Sequence, residues 1–262
     1  MNFRNNQLRI KYGVGEDIII EKGLMRVARS PHKLKVPQEL DADLAYLAGY
    51  HLGDGYLEDV HKTLKRVGKG GFEIDYADSD IEQLNLINSI IKHKFDYELR
   101  IYKRPNVNLW IARSNCKVLH WFLNKKLWLP IGRRDSIKIP GWILKNKDFL
   151  NNFLSGFFDA EGDVGRTINR VARGRRYHKI RIQLTQKDRS ILYEIKNILK
   201  NSYMISSCIY KKHKQDAYTL KIDARNAINI FKEKIDFRNP KKKEKFNRLI
   251  KQILYKQPRN VK

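Results

Sequence analysis

Two carboxylates far apart in the chain stand in one repeated setting, with the chemistry to hold a hard cation. Asp54 follows the apolar run Leu47-Ala48-Gly49-Tyr50-His51-Leu52-Gly53 and precedes Gly55. Glu161 follows Leu154-Ser155-Gly156-Phe157-Phe158-Asp159-Ala160 and precedes Gly162. Small residues recur four apart in each run, Gly49 and Gly53 in the first, Gly156 and Ala160 in the second. Residues four apart share one face of a helix. A glycine there costs about 1 kcal/mol relative to alanine, a cost offset if two helix backbones touch along that face. Helices packed in this way would bring Asp54 and Glu161 towards one axis.

The elements that must position these acids also repeat. Asp41 or Asp43 is placed to cap the first helix. After Gly55 the pattern predicts a strand around 56–65, a turn at Gly68-Lys69-Gly70-Gly71 and a strand over 72–77, where Phe72, Ile74 and Tyr76 alternate with Glu73 and Asp75. Ile81, Leu84, Ile87 and Ile91 keep helical spacing through 80–92; a hairpin over 97–103 and 108–113 follows, then a helix over 116–126. The order returns as a helix over 149–160, a long hairpin from Gly165 to Thr185, a helix over 188–200, strands over 208–212 and 218–223, and a helix over 224–234. The expected fold is α+β: two pseudo-symmetric αββαββα repeats, 35–147 and 148–262, joined at a central two-helix interface. Residues 1–34 form an N-terminal extension, read either as a small element packed on the first repeat or as an arm reaching along a partner.

Composition narrows the partner. The 262 residues carry 54 Lys and Arg against 28 Asp and Glu, a formal charge of +26. Such an excess repels itself in a compact state unless a polyanion neutralises it, and nucleic acid is the natural polyanion. No apolar run reaches the ~20 residues of a membrane span. The start, Met1-Asn2-Phe3-Arg4, lacks a signal peptide's apolar region, so an intracellular setting is expected. Cys116 and Cys208 lack metal-ligand spacing, which leaves no zinc site and suits a reducing compartment.

Both runs resemble the signature of the LAGLIDADG homing endonucleases, in the single-chain form that carries the motif twice. The resemblance starts near Lys35 and implies a monomeric, site-specific enzyme making a metal-dependent double-strand break in a long DNA target. It implies that Asp54 and Glu161 hold two or three Mg²⁺ ions, or other divalent ions, with the carbonyls of Gly53 and Ala160 as neighbouring ligands. Mg²⁺ suits such a set, since it takes one or two carboxylates and completes its shell with water and substrate oxygens. Basic and amide groups order water around the metals in this family, and Gln186 and Lys187 fit that part in the second repeat. Asp78 and Ser79 occupy the matching places in the first, leaving Lys138 or Arg134 to serve there, with Lys242 or Lys243 as a counterpart from the tail. Asp159 stands where the first repeat has Leu52 and is read as structural.

The antiparallel sheets of the two repeats are expected to form a saddle on double-stranded DNA. From Val164 to Lys187 there is no acidic residue, while Arg166, Arg170, Arg173, Arg175, Lys179 and Arg181 supply positive charge. Ile180, Ile182 and Leu184 take one strand face, and Lys179, Arg181, Gln183 and Thr185 the other, where they can meet phosphates and base edges. Glu73 and Asp75 hold the matching face of the first repeat, as acceptors from cytosine or as a solvated edge. Arg100, Tyr102, Arg104, Asn108, Tyr210, Lys212 and Lys221 extend the surface. Two rivals share the scaffold, a maturase acting on intron RNA and a non-cleaving DNA-binding regulator; the presence of both acids favours cleavage. An intein is disfavoured by the start at Met1 and the end at Asn260-Val261-Lys262.

Overall fold

The computed structural model describes residues 8–21, 23–28, 33–67, 71–133, 136–170, 176–212 and 216–253. The chain divides into two compact units, Met1–Arg134 and Asp135–Lys262. Each is α+β with an antiparallel sheet.

The first unit is built around α1 (Ala42–Asp54). Asp41 caps it, its Oδ1 accepting the Leu44 amide at 3.0 Å, while Lys94 holds the other oxygen at 2.5 Å. Residues Leu44 to Leu52 are all buried, as expected of a helix apolar on every side. The sheet comprises β5 (Gly55–Leu57), β6 (Ile74–Asp78), β7 (Arg100–Lys103) and β8 (Trp110–Ser114), in the order β5-β6-β8-β7. Its apolar face carries Ile74, Tyr76 and Ala112 and packs under α1 and α3 (Ile81–Phe95), which Asp80 caps. A helix, α4 (Lys117–Trp121), continues as a π-helical turn through Lys126.

The strand expected over 56–65 is only three residues long, Gly55–Leu57. The chain leaves the sheet after Leu57 and forms a helix, α2 (Val60–Val67). Asp59 starts it, accepting the Lys62 amide on Oδ1 at 3.1 Å and the Thr63 amide on its carbonyl at 2.9 Å. Val60, Leu64 and Val67 fall at helical rather than alternating spacing, and the stretch coils accordingly. The N-terminal extension adopts the packed form: β1 (Leu8–Ile10), β2 (Ile18–Glu21), β3 (Leu24–Val27) and β4 (Leu34–Lys35) make an antiparallel meander. It buries Ile18, Ile19 and Met25 and packs through β3 on α4 and through β4 on α3.

The second unit opens with α5 (Gly141–Leu144) and its motif helix α6 (Lys147–Glu161), whose N-cap is Asn146. β9 (Gly162–Arg170), β10 (Arg176–Gln186), β11 (Cys208–Lys211) and β12 (Tyr218–Ile222) form a sheet of order β9-β10-β12-β11, the same order as in the first unit. α7 (Arg189–Tyr203) covers its apolar face with Ile191, Leu192, Ile195 and Leu199, and α8 (Arg225–Lys234) follows. The basic tail is itself helical, α9 (Pro240–Ile253). Phe158 of α6 meets Phe231 of α8 edge to face at 4.8 Å, and Phe231 meets Phe246 of α9 at 6.0 Å, which fixes the three helices together.

Both motif helices pass into a strand without a loop. The amide of Gly55 returns to the His51 carbonyl, and that of Gly162 to the Phe158 carbonyl. A Cβ on Gly162 would lie 2.3 Å from the Phe158 oxygen, and one on Gly55 2.3 Å from His51 Nδ1. Backbone is harder to displace than a side chain. Gly162→Ala is therefore expected to destabilise the protein by about 1–3 kcal/mol, the usual cost of overpacking; an unchanged urea midpoint would contradict the close junction.

Candidate active site and nucleic-acid interface

Asp54 is the last residue of α1 and Glu161 the last of α6, and both are half-buried. The glycines that follow have matching backbones, φ −92° and ψ 157° at Gly55, φ −91° and ψ 152° at Gly162. Each acid thus sits on the negative end of a helix dipole, beside last-turn carbonyls that include those of Gly53 and Ala160. The donors are hard oxygens, one carboxylate and adjoining carbonyls at each helix end. Among the described residues no group of three His, Cys, Asp or Glu side chains could hold an ion alone. That set fits Mg²⁺ or a similar cation completed by water and phosphate, and it does not fit zinc.

The surroundings of the two acids differ. Tyr50, one turn before Asp54, donates its hydroxyl to Asp78 Oδ2 at 2.9 Å, and Asp78 Oδ1 accepts the Asp80 amide at 2.8 Å. Burial first, then the Asp78 and Asp54 carboxylates, push the Tyr50 phenol well above its ordinary pKa, so it stays a donor. His51 Nδ1 lies 3.1 Å from the Tyr76 hydroxyl. The second unit has Phe157 and Phe158 in place of Tyr50 and His51, and Leu184 and Gln186 in place of Tyr76 and Asp78. Both hydrogen-bonding pairs are absent there as pairs, which leaves the Gln186 amide without a phenol opposite. Gln186 is half-buried at the end of β10, and Lys187 beyond it is exposed.

Asp159 has the structural role expected of it. It is fully buried, and its Oδ2 accepts the backbone amides of Arg238 and Asn239 at 2.9 and 2.8 Å. Lys242 lies close by, donating to the carbonyls of Asp159 and Phe158, so it seats the last turn of α6. Lys138 belongs to the second unit, where its charge acts on Glu194 of α7. Arg134 lies outside the described residues, as do Arg173 and Arg175.

The outer face of β10 is as expected. Ile180, Ile182 and Leu184 are buried, and Lys179, Arg181, Gln183 and Thr185 alternate with them. Register puts Lys221 beside Gln183 and Thr219 beside Thr185 on β12, with Cys208 and Tyr210 next on β11. Gln183 Nε2 donates to the Tyr210 hydroxyl at 2.7 Å, the Thr185 and Thr219 hydroxyls meet at 3.1 Å, and Lys221 pairs with Asp223 at 3.0 Å. Lys212 is exposed just past β11. Arg166 pairs with Ile180, so it belongs to the opposite face from Arg181, whose partner is Gly165.

The first unit presents a different face. Arg113 grips Asp75 with two nitrogens, at 2.7 and 2.6 Å, and Glu73 at 2.9 Å, so the two acids share one internal cation rather than being simply solvated. Arg100 and Tyr102 lie beside Arg113 and Ile111 in register, the Arg100 guanidinium 5.9 Å from the Tyr102 ring. Arg104 and Asn108 are exposed in the turn, which the Arg104 amide closes on the Leu109 carbonyl at 2.8 Å.

Residues 148–236 match the family model of the LAGLIDADG-like domain. Among solved structures, this fold is similar to a variant of I-DmoI in complex with its target DNA and manganese, with a TM-score of 0.51, 17% identity and coverage of 74% of this chain and 93% of that one. It is also similar to the I-LtrWI LAGLIDADG homing endonuclease bound to target DNA, with a TM-score of 0.54, 16% identity, and 80% and 91% covered. Among curated proteins, a probable translation initiation factor IF-2 of Methanocaldococcus jannaschii is 26% identical in an alignment that covers 90% of this chain but only 18% of the factor. An uncharacterized protein of the same organism is 24% identical in an alignment that covers 96% of this chain and 90% of that one. No described helix is long and apolar enough to cross a membrane.

The Tyr50–Asp78 bond can be measured directly. In a double-mutant cycle of Tyr50→Phe and Asp78→Asn followed by urea unfolding, a coupling of about 1.5–3 kcal/mol is expected, the range for a hydrogen bond to a charged group. Additivity within about 0.5 kcal/mol would show that the pair does not act together.

Proposed function

We propose that the chain is a site-specific DNA endonuclease that makes a metal-dependent double-strand break, acting as a monomer because one chain carries both acids. The observation that carries this reading is the repeated helix-to-strand junction: a carboxylate closes the helix, and a sheet begins at the next residue. Two similar folds are LAGLIDADG-type structures bound to target DNA, one of them with manganese. The matched segment is nearly all of one relative and a small part of the initiation factor, so the activity in common belongs to this module rather than to initiation.

Asp54 with the Gly53 carbonyl, and Glu161 with the Ala160 carbonyl, would each hold a divalent ion against one strand of the duplex. The ion, when bound, lowers the pKa of its water and offsets charge on the phosphate. The remaining work falls to the protein. The helix dipoles add negative potential where the cations sit. Gln186 supplies an amide that can orient water beside the second acid, and Lys187 an ammonium that can meet charge on the leaving oxygen. In the first unit Asp78 takes the place of Gln186 and is engaged by Tyr50, so the two strands meet unequal surroundings. The faces of β10 and β12 hold the duplex through Lys179, Arg181 and Lys221, and Gln183 can read a base edge.

Asp54→Asn and Glu161→Gln are each expected to abolish double-strand cleavage of a selected target while leaving DNA affinity within a few-fold. Strong residual cleavage in both would refute the assignment. On supercoiled plasmid at saturating enzyme, nicked circles should precede linear product, and Lys187→Met should enrich the nicked form. Equal slowing of both strands would show that Lys187 serves no single site.

A further inference from the structure

The first unit contains a basic segment that the sheet-based account of DNA binding does not use. The first two strands of the second unit's sheet, β9 and β10, form a long hairpin whose own residues are acid-free from Val164 to Lys187. Between the matching strands of the first unit, β5 and β6, the stretch from Val60 to Gly71 is likewise acid-free, with Lys62, Lys65, Arg66 and Lys69. Topological position and charge agree, and only the secondary structure differs. β5 has three residues where β9 has nine, and the chain forms α2 instead of extending the hairpin.

The helix is anchored on one side and open on the other. Val60 is 4% exposed, beside the ring of Phe72. Phe72 stacks on Tyr12 of the N-terminal extension at 5.9 Å, and the Tyr12 hydroxyl meets His120 Nδ1 at 2.9 Å. Lys117 ties down the same loop through the carbonyls of Val14 and Glu16, at 2.8 and 2.6 Å. Away from Val60, His61, Lys62 and Lys65 are exposed. Neither Lys62 nor Lys65 has an ion-pair partner among the described residues, whereas Arg113 on the adjoining sheet is consumed by Glu73 and Asp75.

We infer that α2, braced by the N-terminal extension, is the first unit's main contact with the phosphates of duplex DNA, in place of the hairpin that serves the second unit. The inference deepens the DNA-binding reading above and rests on it. A single-sign helical face suits a polyanion, and the sheet beside it, where Arg113 is shared between two acids, offers less positive charge. The two half-sites are then held differently, one by a helix and one by a β-ribbon.

Lys62→Ala/Lys65→Ala and a control of equal charge, Lys196→Ala/Lys200→Ala on α7, are compared with wild type for binding to a labelled mixed-sequence 30-bp duplex over a KCl series. Each phosphate contact adds about 0.9 to the slope of log K against log[salt], so the α2 pair should lower the slope by about 1.8 and the control pair should not change it. Hydroxyl-radical footprints on a selected target should lose protection at one end only. Equal slopes for the two variants, protection lost evenly along the site, or a slope change seen only with an RNA duplex would overturn the role of α2. Those outcomes presuppose that wild type binds the duplex with a salt-dependent affinity. If it does not, the endonuclease reading itself fails, a result distinct from failure of α2 alone.

Discussion

The structure depends on a carboxylate that ends a helix immediately before a glycine that begins a strand. At Gly55 and Gly162 the backbone turns at φ near −90° into the sheet, and there is no room for a Cβ against the preceding turn. Because no loop intervenes, the acid has little freedom: its Cα is held by the helix on one side and by strand pairing on the other, Gly55 opposite Tyr76 and Gly162 opposite Leu184. A charge at a helix C-terminus is unfavourable by the dipole alone. The same dipole becomes an asset only when a cation is present, which is why the arrangement suits a metal site better than a structural cap.

The two units solve this constraint with different neighbours. The first surrounds its motif helix with hydrogen-bonded aromatic groups, Tyr50 to Asp78 and His51 to Tyr76. The second uses an aromatic cluster of Phe158, Phe231, Phe237 and Phe246, with Asp159 turned away to receive two amides at the start of α9. Buried polar pairs need good geometry to be neutral in free energy, whereas an apolar cluster gains from burial alone. The polar solution engages the residue at the Gln186 position and the apolar one leaves it available. The asymmetry at the sites therefore follows from how each helix is packed, one step away from the acids themselves.

Much of this was legible in the sequence, for identifiable reasons. The motif helices, the Asp41 cap, the alternation along β10 and the helices α3 and α7 each rest on a local period or cap, and the structure has them. The hidden features depend on pairing. The face taken by Arg166 requires the register of β9 against β10, and one residue of shift reverses it. The internal pairing of Glu73 and Asp75 requires Arg113 from another strand. Helix α2 has a local signal in Asp59 and in the spacing of Val60, Leu64 and Val67, which the reading of the stretch as one arm of a hairpin passed over.

Net charge shows the same limit. A charge of +26 implies a polyanionic partner but not where the partner lies. Cations that are already paired, as Arg113 is with two acids, add little to the external field, while those on an unpaired face add nearly all of theirs. On the second unit's sheet, basic and amide side chains alternate outward from an apolar inner row on β10, and two of them meet acids, Lys221 with Asp223 at 3.0 Å and Arg181 with Asp163 at 3.8 Å. On the first, the single guanidinium of Arg113 is shared between Glu73 and Asp75. Two sheets of identical strand order thus differ in how their outward charges are paired. Topology sets where a partner can be touched, and side-chain pairing sets how strongly each unit attracts it.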